Sequence, residues 1–491
     1  MANDLNIVKI NFLSPNRTVD PSTLTNSLYY MKNVFRDMMM AINRRPELGT
    51  IAFNLGTSSP GDGHYWWDKK GYAVVVSNGR IWRYNSAYDL VELSNGSSLL
   101  ASRGKCTFAE AKETASNTVY LLIANGGRIV YTDGTAAGAT KLDGVSDPVE
   151  CTHVIQINGY VLANDKATEE TKNKWFATAV NEPLNFAGGQ DYTAPMQADD
   201  ILAIMESRGR AIILGRQTIE PWQDTLATIP WARVNGSLIN IGIFSADSVT
   251  KYNEDIYFMS NKREIMLFRA DSYIPISSPY NKFIQQLTTI NDTHIEVVSS
   301  FEGYDFLLIH FPSEDITLAH NITLYNISGG EINDWYEWTY WEDNQHKQFR
   351  GINHIYAASF GKHLICDRTN GNVYEFERSA YSDFGNTIKI EVVTGNITHG
   401  TLQEKDSKWI IFRFKRGEGA NKKILLYYRD DGDSEWGNVL EHMETGALGA
   451  RQAFIKIYNM GIYRSRQYKF VMGDAADFVL IEIEEAFTII G

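Results

Sequence analysis

Short runs rich in Val, Ile, Tyr and Phe recur along most of the chain, and Asn-Gly or other Gly-containing turns separate them. Residues 73–84 show the unit clearly: Ala-Val-Val-Val-Ser, then Asn78-Gly79, then Arg-Ile-Trp-Arg-Tyr. Residues 119–131 around Asn125-Gly126, 154–162 around Asn158-Gly159 and 366–376 around Asn370-Gly371 repeat it. Asn-Gly between two β-prone runs is the strongest short-range hairpin signal, because a primed turn needs positive φ at both central residues. Weaker versions lie at Arg208-Gly209, Asn261-Lys262 and Glu302-Gly303. The seven hairpins are about 49 residues apart on average, with single spacings from 33 to 68. Propeller blades repeat at about 40 to 50 residues. The pattern therefore predicts an all-β chain with a degenerate β-propeller of six or seven blades over residues 51–385, its turns falling at different places in different blades. A multi-sheet sandwich is the competing arrangement.

The flanks differ from this repeat. Within residues 1–50, Leu24, Leu28, Met31, Phe35, Met38 and Met39 fall at three and four spacings, as in a helix that Ser22 or Thr23 caps. Tyr29, Tyr30, Val34 and Phe35 suit a strand equally well, so helix and extended chain both remain open. Arg44-Arg45-Pro46 ends the segment, since proline disfavours helix at the residue before it. We read 1–50 as an N-terminal docking segment. Residues 386–491 contain six apolar or alternating runs, at 387–393, 409–414, 424–428, 453–457, 467–471 and 478–483. Alternation marks sheets with one wet face, and a C-terminal β-sandwich-like domain is expected.

Composition narrows the function. Of 491 residues, 44% are hydrophobic and 21% charged, as in an ordinary soluble protein. No run reaches the length of a membrane span, so no stable membrane insertion is expected. The N-terminus has no basic start followed by an apolar core, so cytoplasmic synthesis is expected. Cys106, Cys151 and Cys366 are odd in number and far apart, which fits reduced core residues rather than disulfides or a metal quartet. The net charge is −13, of which residues 386–491 hold only −1, with 14 basic and 15 acidic residues. The acid is thus concentrated in the first 385 residues. Such a surface repels a phosphate backbone, a repulsion that can still be useful where DNA must slide without sticking.

Candidate chemistry is sparse. A glycosidase needs two carboxylates converging on one sugar. Asp305, Glu331, Asp334 and Glu337 are available, but no spacing singles out a pair. The histidines are scattered without metal-ligand spacing, and neither a nucleophile elbow nor a Walker loop occurs. No catalytic residue, cofactor or metal is expected. Asp431-Gly432-Asp433-Ser434-Glu435-Trp436 matches part of the Asp-box hairpin of sialidase-type propellers and reads as a structural turn. Trp335-Tyr336-Glu337-Trp338-Thr339-Tyr340-Trp341 reads as one aromatic strand. It is either a packing strand or a partner-docking surface carrying Trp335, Trp338 and Trp341. Lys405, Lys408, Arg413, Lys415, Arg416, Lys422 and Lys423 face only Asp406 and Glu418, a stretch of net charge +5. Lys408, Arg413, Lys415 and Arg416 are candidate subunit contacts against an acidic neighbouring domain. A solvated strand edge or a DNA contact are the other readings.

The order of these pieces resembles the packaged-DNA stabilisation proteins, or tail nozzle and hub proteins, of short-tailed bacteriophages. The resemblance runs from Arg45-Pro46-Glu47-Leu48-Gly49 before the first blade through the Asn78-Gly79-Arg80-Ile81-Trp82 hairpin. It continues over Asn185-Phe186, Ala198-Asp199-Asp200-Ile201-Leu202 and the strand 213–223 ending Thr218-Ile219-Glu220-Pro221-Trp222-Gln223. Residues 306–312, Leu324-Tyr325-Asn326, Trp335, Arg350-Gly351, Cys366-Asp367, 373–376 and 461–483 follow in the same order. Glu47, where glycine is common in the family, and the long 181–200 insert depart from the pattern.

The resemblance implies a structural virion protein without enzyme activity, assembled in the host cytoplasm. It implies a homo-oligomer, a hexameric ring below the portal and adaptor proteins. Such a ring extends the DNA channel, stabilises packaged DNA and carries the tail needle or tip and fibre or spike proteins. Double-stranded DNA would pass its lumen without sequence-specific binding. A propeller-type glycan hydrolase and a glycan-binding receptor-recognition protein are the alternatives.

Overall fold

A computed structural model of the chain describes residues 4–10, 13–18, 24, 27–102, 104–136, 138–193, 199–415, 423–437, 440–444, 447 and 449–490. Seven four-stranded antiparallel units surround one axis. Blade 1 holds Gly61–Trp67, Tyr72–Ser77, Arg80–Tyr84 and Leu90–Glu92; blade 2 begins at Thr107–Lys112, blade 3 at Val154–Ile157 and blade 4 at Ile201–Ser207. Blade 5 begins at Val249–Tyr252 and blade 6 at His294–Phe301. Blade 7 joins Gly351–Ala357, Lys362–Asp367 and Asn372–Glu377 to Glu47–Asn54 from the start of the chain. The propeller is thus seven-bladed, and a strand more than 300 residues away in sequence closes its last blade. That strand also crosses residue 50.

Each blade carries one of the seven hairpins read from the sequence. The turns at 158, 208 and 302 join first and second strands, and those at 78, 125, 261 and 370 join second and third strands. Asn78 and Gly79 have φ of 52° and 74°, the primed turn that Asn-Gly predicts. Asn370-Gly371 differs: neither residue has positive φ. Glycine is needed there because a Cβ would stand 2.7 Å from Thr57 Oγ1 and 2.9 Å from Thr57 O. The turn is pressed against the chain that leaves the closing strand, and Leu55 N donates to Gly371 O at 2.8 Å.

The core is divided among the blade interfaces. Alternate side chains of the fully buried strand Tyr72–Ser77 serve two of them. Val74 and Val76 meet Leu121 and Ile123 of blade 2, while Ala73 and Val75 meet Leu364 and Val373 of blade 7. Cys366, Cys106 and Cys151 lie in three successive interfaces, buried and free, as expected of core thiols. The interface between blades 6 and 7 continues into a second unit.

That unit is a β-sandwich. One sheet runs Val34–Arg36, Ile42–Arg44, Val479–Ile490, Glu404–Phe414 and Ala453–Tyr463, with Asn6–Ile10 also on Val479–Ile490. The facing strands Ile390–Thr394, Arg466–Met472, Lys423–Asp430 and Leu440–Glu444 belong to a nine-stranded sheet that continues into blade 6. Leu28–Lys32 is the link, parallel to Trp335–Glu337 and antiparallel to Ile390–Thr394. The early segment is therefore extended where described, not helical. Its Met31, Val34 and Phe35 are buried by both units, so the spacing that resembles a helix is that of strands covered on two faces.

Candidate functional site

The first strands of the blades face the axis and leave a narrow bore. Lys105, just before the first strand of blade 2, crosses it: its Nζ donates to the carbonyls of Val249 at 2.7 Å and Ile295 at 2.6 Å on the opposite side. Burial lowers its pKa to about 8 against the pull of Asp247 and Glu296. The Asp247 carboxyl is pushed up by the same burial, and His153 and His294 are held neutral by burial with Lys105 nearby. His310 bridges Glu296 Oε1 at 2.9 Å and Thr317 Oγ1 at 3.0 Å, and His64 Nε2 meets the Tyr84 hydroxyl at 2.5 Å. Lys105 divides the bore into two mouths. The wider, about 540 Å³, is lined by Glu110, Gln156, Glu206 and Lys251 among others. Its charges are neutralised locally: Lys69 pairs with Glu110 at 3.0 Å, and Lys251 pairs with Glu206. The narrower, about 220 Å³, is lined by Asp62, Asp247, Asp292, His294, Gln348 and Arg368 among others.

A second concentration of polar groups holds the early segment between the two units. Arg45 and Asp383, both fully buried, form an ion pair. Arg45 also donates to Asn33 Oδ1 at 2.9 Å, Pro46 O at 2.6 Å and Thr339 O at 2.8 Å, and lies 4.5 Å from the Phe349 ring centre. Arg36 pairs with buried Asp334, and Arg44 with Glu47 at 2.8 Å. Arg45–Asp383 and Arg36–Asp334 link distant parts of the subunit, while Arg44–Glu47 is local.

The aromatic stretch is not one strand. Trp335–Glu337 ends blade 6, and Thr339–Glu342 pairs instead with Gln345–Gln348 in a separate hairpin. Trp335 is fully buried, its Nε1 donating to Ile276 O at 3.1 Å and Asn333 Oδ1 at 2.9 Å. Trp338 is fully buried between Phe306 and Phe349. Neither can be a docking side chain; both are core, because the break at Trp338 turns it into the seam between blades 6 and 7. Trp341 alone is half-buried, with Lys389 Nζ 3.8 Å above its ring centre.

The basic stretch is similarly split by strand alternation. Lys405 points into the sandwich, fully buried, and donates to Thr401 O and Gln403 O at 2.8 Å. Lys408 pairs with Asp406, and Arg413 pairs with Glu482 at 2.5 Å. Lys415 is exposed, and Arg416 and Lys422 lie outside the described residues. The adjoining edge strand Ala453–Tyr463 shows what sequence reading missed: Phe454, Tyr458 and Ile462 are each about 60% exposed. Their i, i+4, i+8 spacing on one strand face was the available signal.

Of the four candidate carboxylates, Glu331 is exposed and the other three are structural. Asp305 accepts from Ser300 N at 2.8 Å and pairs with Thr323, Asp334 holds Arg36, and Glu337 holds Arg17 and Lys32. Asp431 accepts from Arg464 N and Ser465 N, both at 2.8 Å, so it ties a turn. Among the described residues, no group of three His, Cys, Asp or Glu could hold a metal ion, and no helix is long and apolar enough to cross a membrane.

Residues 56–381 match the phage stabilisation family, described as "Bacteriophage P22 Gp10, beta-propeller". No curated protein matches the chain. Among solved structures, the extracellular domain of the hybrid two-component system BT4673 from B. thetaiotaomicron is similar at 10% identity and a TM-score of 0.41, over 89% of this chain and 59% of that one. The Neurospora crassa Pan2 WD40 domain is similar at 10% identity and 0.35, over 66% and 91%. BamB from Moraxella catarrhalis is similar at 11% identity and 0.32, over 65% and 97%.

Proposed function

The chain belongs to the phage stabilisation family described as the bacteriophage P22 Gp10 β-propeller and is a phage structural protein, a virion component; from that premise we propose that it is a tail nozzle or hub. The family match over the propeller is the observation that carries this reading. Six copies would form a ring below the portal and adaptor, stabilise packaged DNA and carry the tail tip, fibres or spikes. In this reading the propeller, closed by Glu47–Asn54, forms the ring body, and the sandwich with the early segment built into it is the accessory and docking part.

The bore of the propeller is not the DNA path, since Lys105 bridges it. DNA would travel through a lumen formed between copies. The acidic excess of the first 385 residues supports that arrangement, because carboxylates facing a duplex repel phosphate over about 8 to 10 Å at physiological salt. Cations there would instead bind DNA through counterion release. Self-association is supported by the edge strand Ala453–Tyr463, whose exposed Phe454, Tyr458 and Ile462 flank the strand bearing Lys408 and Arg413. Lys408 and Arg413 are already paired within the subunit, so the apolar residues are the stronger contact candidates.

Negative-stain imaging of the purified protein and of virion tails tests the reading. A sixfold ring with a central hole is expected in tails. A stable back-to-back dimer there, or release of reducing ends from host polysaccharide by the pure protein, would overturn it.

A further inference from the structure

We propose that the outer face of the nine-stranded sheet, where that sheet forms one wall of the sandwich, docks the acidic rim between blades 2 and 3 of a second copy of this chain. The inference rests on the ring reading above and names the two surfaces that meet in it. Strand alternation puts Glu391, Lys469, Tyr427 and Arg429 on this face, since Glu391 stands opposite Val471, Lys469 opposite Tyr427 and Gln467 opposite Arg429. Lys389, two residues before Glu391, shares it. The alternate residues Val392, Phe470 and Leu426 fill the sandwich core.

Two tryptophans lie on the same face, Trp341 from the hairpin beside blade 6 and Trp436 from the turn after Asp430. Lys389 Nζ is 3.8 Å above the Trp341 ring centre, and the Arg429 guanidinium is 4.6 Å above that of Trp436. Lys469 Nζ lies 4.5 Å from the Tyr427 ring centre and 4.9 Å from that of Trp436. Lys389, Lys469 and Arg429 make no ion pair among the described residues, and the nearby Glu391 already accepts the Tyr30 hydroxyl. Burial lowers the Lys469 pKa, and Lys389 and Arg429 lower it further against the pull of Glu391. The rings hold three mutually repelling cations in place, and an anionic occupant relieves that repulsion.

The complementary surface lies on the far side of the same molecule. The sandwich extends from blade 6, and in a ring of seven blades the boundary of blades 2 and 3 is half a turn away. The loop between Ala139–Lys141 and Val154–Ile157 crosses that boundary. Its Asp143 and Glu150 are exposed and its Asp147 half-buried, and none of the three makes an ion pair among the described residues. Asp147 Oδ2 accepts the Gly144 N–H at 2.8 Å, which closes a turn on whose tip Val145 is fully exposed; Val149 is 42% exposed. Carboxylates beside exposed valines match cations beside half-buried rings, an apolar centre with a charged rim. Two unlike surfaces on opposite sides of one subunit give the head-to-tail contact that closes a ring. Nucleic acid fits the basic face less well. The rings are already capped by cations of their own chain, which takes up the platform a base would stack on, and a chain of net charge −13 repels polyphosphate.

Tails assembled with full-chain variants test the contact. Lys389→Glu with Lys469→Glu, and Asp143→Lys with Glu150→Lys, should each lower incorporation about tenfold without moving the melting curve of the purified protein, and all four changes together should restore it to within about threefold of wild type. If a charge variant does not fold, Val145→Cys with Lys469→Cys carries the test, because Cys106, Cys151 and Cys366 are buried and do not compete. Oxidised tails should then give a ladder of linked subunits up to the hexamer. Normal incorporation of either double variant, no recovery in the combination, or no ladder where the cysteine pair is needed would overturn the contact. Binding of duplex DNA at physiological salt that Lys389→Glu with Lys469→Glu abolishes would overturn it in favour of nucleic acid. A sixfold ring in wild-type tails beside any of these results overturns this contact alone, whereas tails without that ring overturn the nozzle reading and this inference with it.

Discussion

Removing the Asp383 carboxylate should loosen the junction between propeller, early segment and sandwich. Asp383 is fully buried, holds the fully buried Arg45 guanidinium, and accepts the Leu48 N–H at 3.0 Å. Asp383→Ala leaves a buried charge facing only Asn33, Pro46 O, Thr339 O and the Phe349 ring. Breaking a buried pair from one side costs about 3–5 kcal/mol, and stranding the Leu48 N–H adds about 1 kcal/mol. Unfolding entropy near 2.1 cal/mol/K per residue gives about 1 kcal/mol/K for 491 residues. A loss of about 4–6 kcal/mol should therefore lower Tm by roughly 4–6 °C if the chain melts as one unit. Calorimetry measures this, and a cycle with Arg45→Met isolates the pair. The double variant should be less destabilised than the sum of the singles by about 1–3 kcal/mol. A Tm change under about 1 °C for Asp383→Ala, or strict additivity in the cycle, would refute the argument that this pair clasps the two units.

Other consequences are independent of the clasp. Gly79→Ala forces a Cβ to 2.5 Å from Leu100 O at φ of 74°, and should cost about 1–2 kcal/mol or more in chemical denaturation; wild-type stability would show that the tight turn is misread. Burial lowers His64 to about 3 and His320 to about 4, below the ordinary unfolded value of 6.5. The unfolded chain then takes the protons first, so stability is complete above about pH 6.5 and falls as pH drops toward 4. The loss at pH 5 is roughly 2 kcal/mol for each histidine; equal Tm at pH 7.5 and pH 5 would contradict it. Phe454→Lys with Tyr458→Lys should leave the monomer's Tm within about 1 °C, because both side chains are exposed, yet reduce incorporation into tails; normal incorporation would remove this strand from the subunit contact. A map of the assembled tail should show more Asp and Glu than Lys and Arg facing the lumen, and a basic excess there would contradict the sliding-wall account.

The propeller was legible because its signals are local. A turn and the strands beside it sit within a dozen residues, and each blade kept one such hairpin. Blade number was not legible, because two irregularities distort the spacing. The interval of 33 between the turns at 125 and 158 is short because the recognisable turn moves from the second loop of blade 2 to the first loop of blade 3. The interval of 68 between 302 and 370 is long because the turn moves from the first loop of blade 6 to the second loop of blade 7 and the hairpin of Thr339–Glu342 and Gln345–Gln348 lies between the blades. The closing strand was out of reach for a different reason. Asn54 pairs with Asn372, and no local pattern announces a partner at that distance.

The candidate sites failed or succeeded on the same distinction. Composition showed that 335–341 is aromatic, but where each ring points depends on the strand ending before Trp338, a consequence of the link Leu28–Lys32 makes beside blade 6. The charge count around 405–423 was correct, yet alternation buries Lys405 and neighbouring strands neutralise Lys408 and Arg413. The axial cavity left no motif at all. Lys105, Asp247, Asp292, His294, Gln348 and Arg368 come from different blades or the loops between them, so their spacing follows blade length rather than chemistry. They converge only when Glu47–Asn54 closes the ring. Convergence of this kind is set by ring closure, so no spacing along the sequence announces it.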